Sequence, residues 1–321
     1  MTAIVRIIAL CAALFISGAA SAQPYPSKPV RIIVPFAAGG VTDIAARLIA
    51  QKLTERLGQN FYVENQGGAG GNLGMGNAAR AGGDGYTILL ASSSIVVNPA
   101  LYNKLPFDVE KDFIPVTKAG VSPNAWLVNP SFPAKDMKEM IEIIKANPGK
   151  YSVASPGIGT TPHLSIEMLR YSLKLNFVTV PFAGGGPSTQ SVLAGHTPIA
   201  CGALGNSTNL INEGKLRLLA VTTKKRSAAM PNTPTLGEVG IKDQEADTMQ
   251  GIFVPAGTPK EIVDLLQREI SAIVKAPDLK EKLLAQGVDA EGDTSAEFAA
   301  YIKVELAKWK KLIEEAKIDK I

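Results

Sequence analysis

Cysteine and histidine are nearly absent from this sequence, and their scarcity removes most chemistries that need a soft nucleophile or a metal. The 321 residues hold two Cys and two His. Cys11 lies inside an apolar N-terminal run, which leaves Cys201 with no partner for an internal disulfide, so stability must come from a packed core. His163 and His196 stand in no metal-ligand spacing with each other or with a cysteine, and neither a metal nor a cofactor is expected. No Gly-x-Ser-x-Gly elbow and no Gly-rich phosphate loop ending in Lys-Ser/Thr occurs. Gly74-Met75-Gly76-Asn77-Ala78-Ala79 echoes a dinucleotide fingerprint but does not directly follow a strand. Aromatics make up 6%, too few for base-stacking platforms, and Lys plus Arg exceed Asp plus Glu by only four over the whole chain. Lys224-Lys225-Arg226 and Lys308 to Lys311 read as solvated surface, so no nucleic-acid partner is expected.

What is present begins with an export signal. Arg6 supplies a positive start, Ile7 to Ile16 is an apolar run too short to span a bilayer, and Ala20-Ser21-Ala22 has the small-x-small pattern of a cleavage site. Residues 1–22 are expected to be a signal peptide and the mature chain to start at Gln23, in the periplasm. Beyond them the chain alternates strand, glycine-rich turn and helix. Val30 to Pro35 is a continuous apolar run of the kind buried on both faces of a parallel sheet. After Gly39-Gly40 the period changes: Val41, Ile44, Ala45, Leu48, Ile49, Leu53 and Leu57 form a helical stripe ended by Gly58. Further strand patterns at Phe61–Val63, Tyr86–Ala91, Ala125–Val128, Tyr151–Ala154, Phe177–Val180, Ile199–Cys201, Leu216–Val221 and Gly251–Val254 point to an α/β architecture with parallel sheets. The last stretch, from Pro259, is helical throughout, with Phe298, Ile302, Leu306, Trp309 and Ile313 on one face. Loops at Val121–Asn124 and Ala246–Gly251 are the expected crossings between two domains: 23–124 with 247–321, and 125–246.

Turns built from small and hydroxyl residues follow the strands: Phe36 to Thr42, Gly67 to Gly76, Ser92-Ser93-Ser94, Ser155 to Thr161, and Phe182 to Ser188. At the carboxyl ends of parallel strands such turns face the ligand crevice, and each following helix offers unpaired N–H groups and a partial positive charge. None of these turns contains Arg or Lys. A captured anion is therefore expected to rest on main-chain N–H groups and on Ser and Thr hydroxyls, donors suited to reversible capture of a carboxylate. His163, at the start of a helix after Thr160-Thr161-Pro162, is within reach of the same crevice; His196 reads as surface, and Cys201 as a small core residue. Asp43 reads as a first-turn helix residue favoured by the dipole.

At these turns the chain resembles the Bug proteins, extracytoplasmic receptors of tripartite tricarboxylate transporters. The resemblance is carried by Tyr25-Pro26-Ser27-Lys28-Pro29-Val30 through Phe36, Gly39 to Arg47, Val63-Glu64-Asn65 before Gly67 to Asn72, and Asn98-Pro99-Ala100-Leu101-Tyr102. Val180-Pro181-Phe182 with Gly184 to Pro187, Gly214 to Arg217 and Pro255 to Pro259 extend it over essentially the whole mature chain. It implies a two-lobed, type II periplasmic-binding (Venus flytrap) fold with a helical C-terminal tail, acting as a receptor and not an enzyme. Its ligand would be a small di- or tricarboxylate, acidic amino acid or aromatic acid, and its partners the membrane components of the transporter, with the receptor itself a monomer. It places the ligand against Phe36, Gly39, Gly40 and Thr42, against Ser92, Ser93 and Ser94, and against Ser155, Gly157, Gly159, Thr160, His163, Phe182, Gly184, Gly185 and Leu204 of the second lobe. A secreted α/β hydrolase is the competing reading, to be separated from a receptor by turnover of model esters.

Overall fold

The structure is a computed structural model that describes residues 25–242, 244–315, 318 and 320–321; the expected signal peptide lies outside the described residues. Along the first part of the chain run β1 (Val30–Val34), α1 (Val41–Leu57), β2 (Phe61–Asn65), α2 (Asn72–Ala79), β3 (Thr87–Ser92), α3 (Ser94–Leu101) and the short α4 (Val109–Asp112). There follow β4 (Phe113–Val128), α5 (Met137–Ala146), β5 (Ser152–Ser155), α6 (Thr161–Ser172), β6 (Val178–Pro181), α7 (Gly185–Leu193), β7 (Ile199–Ala203), α8 (Thr208–Asn212) and β8 (Arg217–Val221). The chain ends with β9 (Asp247–Pro255), α9 (Lys260–Lys275), α10 (Pro277–Ala285), β10 (Asp289–Ala290) and α11 (Ser295–Glu315).

Two lobes share one continuous strand order, β2-β1-β3-β9-β4-β7-β5-β6, with β8 and β10 both added to β4. The parallel expectation holds within each lobe, where β1 pairs with β2 and β3, and β5 with β6 and β7. It fails along β4 and β9: β9 runs antiparallel to both β3 and β4, and β4 runs antiparallel to β7 and β8 in the second lobe. The crossings are strands, not loops. β4 pairs with β9 from Phe113 to Pro123, then with β7 from Asn124 to Val128, so a single extended segment passes from one lobe's sheet into the other's. Returning, Ala246 N–H donates to Thr222 O, whose own N–H donates to Asn124 O, before β9 begins. Asn124 sits at this junction, fully buried. Its amide nitrogen donates to Thr161 Oγ1 and to Ala246 O, and its oxygen accepts from Thr248 Oγ1 at 2.7 Å.

Each lobe is a three-layer sandwich. The first lobe's sheet packs one face on α1, α9 and α10 through Ile32, Ile49, Leu266 and Ile270, and the other on α2, α3 and α11 through Leu89, Val97, Phe298 and Trp309. In the second lobe α5 and α6 cover one face and α7 and α8 the other. The C-terminal helices thus complete the first lobe, and the segment also contributes β10 to β4. Helix α1 ends where expected: Gly58 takes φ 71°, a left-handed conformation that glycine adopts without strain, and its N–H caps Thr54 O.

Asp247, the first residue of β9, sits where the chain re-enters the first lobe. Burial pushes its carboxyl up to about 6, Lys308 pulls it down, and Glu305, Asp289 and Glu245 add to the rise. Its Oδ1 finds no partner among the described residues. Because the folded protein holds this proton at a pH where the unfolded chain has lost it, ionisation costs stability as pH climbs from about 4 through 6. Asp247→Asn should therefore raise the melting temperature above pH ~7, with the gain fading below pH ~4, as followed by thermal unfolding across that range.

Candidate functional site

The site forms where three helices begin. Gly39, at φ 83°, turns the chain out of β1, and Gly40 is the N-cap of α1. Thr160 caps α6 from the second lobe, and Gly184, at φ 149°, precedes α7. The first N–H groups of a helix have no acceptor within it. Here those of Thr42, Asp43, Thr161, Gly185 and Gly186 find none among the described residues. The starts face one another across the cleft. A Cβ built on Gly40 would lie 3.7 Å from Gly185 N. The lobes touch directly: Ala37 N–H donates to Ala183 O at 3.0 Å, and Val41 N–H to Asn206 Oδ1 at 2.7 Å.

Two cavities lie end to end in this cleft. The polar one, about 40 Å³, is lined by Gly40, Thr42 and Ser92 from the first lobe and by Thr160, Gly185 and Asn206 from the second. Since about 10–15 Å³ of such space holds one water, this is room for a few waters or a carboxylate head. The other, about 220 Å³, is lined by Gly68 to Gly71 and Tyr102 on one side and by Pro156 to Ile158 and Pro181 to Ala183 on the other. Phe36 and Pro156 border both.

Neither lining contains Lys or Arg. The one charge that borders the polar cavity is Asp43, whose side chain is 4% exposed. Burial alone would raise its pKa. Hydrogen bonds from Arg47, the Gly39 N–H and Asn65 outweigh that and hold the carboxyl below its ordinary value. Arg47 grips it at 3.0 Å through both Nε and Nη2, so the pair is close to neutral and the helix starts keep their positive potential.

Of the residues expected to meet a ligand, Phe36, Gly40, Thr42, Ser92, Thr160 and Gly185 line the polar cavity, and Gly157 and Phe182 line the larger one. The others border neither cavity, and all but His163 have structural work. Gly39 donates its N–H to Asp43. Ser93 Oγ bridges to Asp247 O and Met249 N–H, pinning α3 to β9. Ser94 Oγ turns to Ser92 Oγ at 3.1 Å, and Ser155 Oγ accepts from Gly157 N–H. Gly159, at φ 82°, packs against Asn98, and Gly184 packs against Ala37. Leu204 is buried in the second lobe's core. His163 is buried on α6, its Nδ1 without a partner among the described residues; burial lowers its pKa, against the pull of Glu167. Thr160 lines the cavity with its proton already given to Gly157 O at 2.7 Å.

Sequence reasoning missed Asn206, Thr161, Thr248 and Ala203 from the polar lining. Thr161 and Thr248 bond each other at 2.8 Å across the lobes. Gln250 escaped it too. It pairs in register with Ser92 on the same face of the sheet, fully buried, and neither end of its amide has a partner among the described residues. His196 is exposed and Cys201 fully buried, with burial pushing its thiol up to about 12.

Residues 45–318 match the family described as tripartite tricarboxylate transporter family receptor. The periplasmic binding protein BugD is similar in structure, with a TM-score of 0.89 at 34% identity over 92% of this chain and 100% of its own. A Rhodopseudomonas palustris protein solved with adipate gives 0.89 at 30% identity over 92% and 100%. MatC from the same organism, with bound malate, gives 0.86 at 30% over 90% and 100%.

The contact between Asn206 and Val41 yields a direct test of the helix start as an anion site. Asn206→Asp would place a tethered carboxylate against the N–H groups of α1. It should raise the melting temperature at neutral pH and weaken capture of an added carboxylate by about tenfold or more, read by calorimetry.

Proposed function

We propose that this chain, which belongs to the tripartite tricarboxylate transporter receptor family, captures a small organic carboxylate in the cleft between its lobes and delivers it to the membrane components of such a transporter. It is a binding protein and not an enzyme, as are the relatives it resembles, so the hydrolase reading falls. The observation that carries the ligand class is the convergence of three helix N-termini on a cavity lined by no cationic side chain. Neutral N–H groups aimed at one point stabilise an anion without desolvating a Lys or Arg, and release it as readily.

We take 23–124 with 247–321 and 125–246 as the two moving bodies, hinged where β4 changes partner at Pro123–Asn124 and where β9 begins. A ligand held by α1 from one body and by α6 and α7 from the other favours the closed arrangement, because only there are both sets of donors engaged. Residues 1–22 are taken as the signal that exports the chain to the periplasm, where BugD is described as acting.

Gly40 has φ −84°, so any residue fits its backbone, but the γ-carbons of valine would be wedged between the lobes. Gly40→Val should nearly abolish carboxylate binding while leaving each lobe folded by circular dichroism. Arg47→Leu is expected to lower affinity by about tenfold, by uncovering the Asp43 charge beside the cavity. The double variant Asp43→Asn/Arg47→Leu should restore it to within a few-fold. A direct Arg47–ligand ion pair predicts no such recovery, and calorimetric titration of the three variants decides between them.

A further inference from the structure

We propose that Gln250 is a further ligand contact, its side-chain amide donating to the captured carboxylate from the sheet beneath the three helix starts. This rests on the reading of those starts as the carboxylate site. The face of the first lobe's sheet that packs on α1 is apolar along most of its length, with Ile32, Val34, Ile88, Leu90, Ile252 and Val254 in one core cluster. At the carboxyl end of β3 it turns polar. Ser92 stands in register with Gln250, and Thr248 lies two residues back along β9, on the same face. Ser92 and Thr248 both border the polar cavity. Residues opposed across an antiparallel pair hold their Cβ atoms about 5 Å apart, so the long side chain of glutamine carries its amide alongside Ser92. Gln250 lies one step back from the cavity wall, and rotation about its side-chain bonds brings the amide to the anion.

The two polar neighbours of Gln250 are already engaged. Ser92 Oγ meets Ser94 Oγ at 3.1 Å. Thr248 Oγ1 donates to Asn124 Oδ1 at 2.7 Å and meets Thr161 Oγ1 at 2.8 Å. Gln250 differs: it is fully buried, and both Nε2 and Oε1 lack a partner among the described residues. A glutamine serving only the fold would tie β9 to its surroundings through those atoms. An unpaired buried amide instead costs free energy that a leucine of similar bulk would not. An anion in the adjoining cavity supplies the missing acceptor. The donor also suits the rest of the site. A neutral amide brings no positive charge, in keeping with a lining that contains no Lys or Arg. It approaches from the first lobe's sheet, opposite the starts of α6 and α7 on the second lobe, and so adds to the donors that only the closed arrangement brings together.

The test is calorimetric titration of the mature protein and of Gln250→Leu with succinate, malate, adipate and benzoate. The substitution removes the amide and keeps the bulk. It should raise the melting temperature measured without added acid, and weaken whichever of the four acids binds tightest by about tenfold or more. A purely structural glutamine predicts the reverse, a lower melting temperature with affinity kept. Should the variant fail to fold by circular dichroism, NMR of the wild-type protein decides. The Gln250 side-chain NH₂ protons should move downfield as that same acid is titrated to saturation. Unmoved NH₂ signals, or unchanged affinity in a folded variant, would overturn the Gln250 contact while leaving capture by the helix starts in place. If none of the four acids binds the wild-type protein, the carboxylate reading itself falls, and this proposal with it.

Discussion

An α-helix begins with N–H groups that nothing inside it can satisfy, and burying them costs free energy unless an acceptor is supplied. This fold puts three such beginnings into one cleft and leaves five of their N–H groups without a protein acceptor among the described residues. Much of the surrounding structure serves that arrangement. Gly39 and Gly184 take positive-φ conformations that let the turns approach one another, and the β1, β5 and β6 strand ends set the spacing. Pro162 and Pro187 occupy first-turn positions, where a missing N–H costs nothing.

The charge balance follows the same logic. Asp43 in the first turn of α1 favours the helix dipole but would repel an anion if left bare. Arg47, one turn on, and Asn65, from the end of β2, hold it in hydrogen bonds beside the cavity. Its negative charge is spent inside the lobe. The Asn124, Thr161, Thr248 and Thr222 network ties β4, α6 and β9 together at the crossing. Both crossings are extended strands in a shared ladder, and the closure proposed above would turn about them.

Local patterning made the helix starts legible. Apolar runs followed by Gly, with Thr in the first two, at Phe36–Thr42, Ser155–Thr161 and Phe182–Gly186 coincide with turns that line the two cavities, and none of the three contains Arg or Lys. The first half of β4 was not legible. Pro115, Lys118, Gly120 and Pro123 interrupt any alternation, and the strand survives through bulged pairing with β9. Antiparallel β9 was hidden for a related reason: buried on both faces, it reads like a parallel strand. Asn206 could not be read at all, since it meets Val41 only once the lobes close across 165 positions of sequence. The serine turn misled in part. Three adjacent hydroxyls looked equivalent, but the strand-to-helix transition aims only Ser92 at the cavity and turns Ser93 and Ser94 into the scaffold.

The claim on which the account stands is that main-chain N–H groups, and no cation, hold the anion. Backbone amide NMR of the isotopically labelled protein, titrated to saturation with a carboxylate it binds, tests this directly. The amide protons of Thr42, Asp43, Thr161, Gly185 and Gly186 should move strongly downfield on both lobes together, with the Arg47 Nε–H signal almost unmoved. A large shift at Arg47 Nε–H with those five amides unchanged would contradict the account.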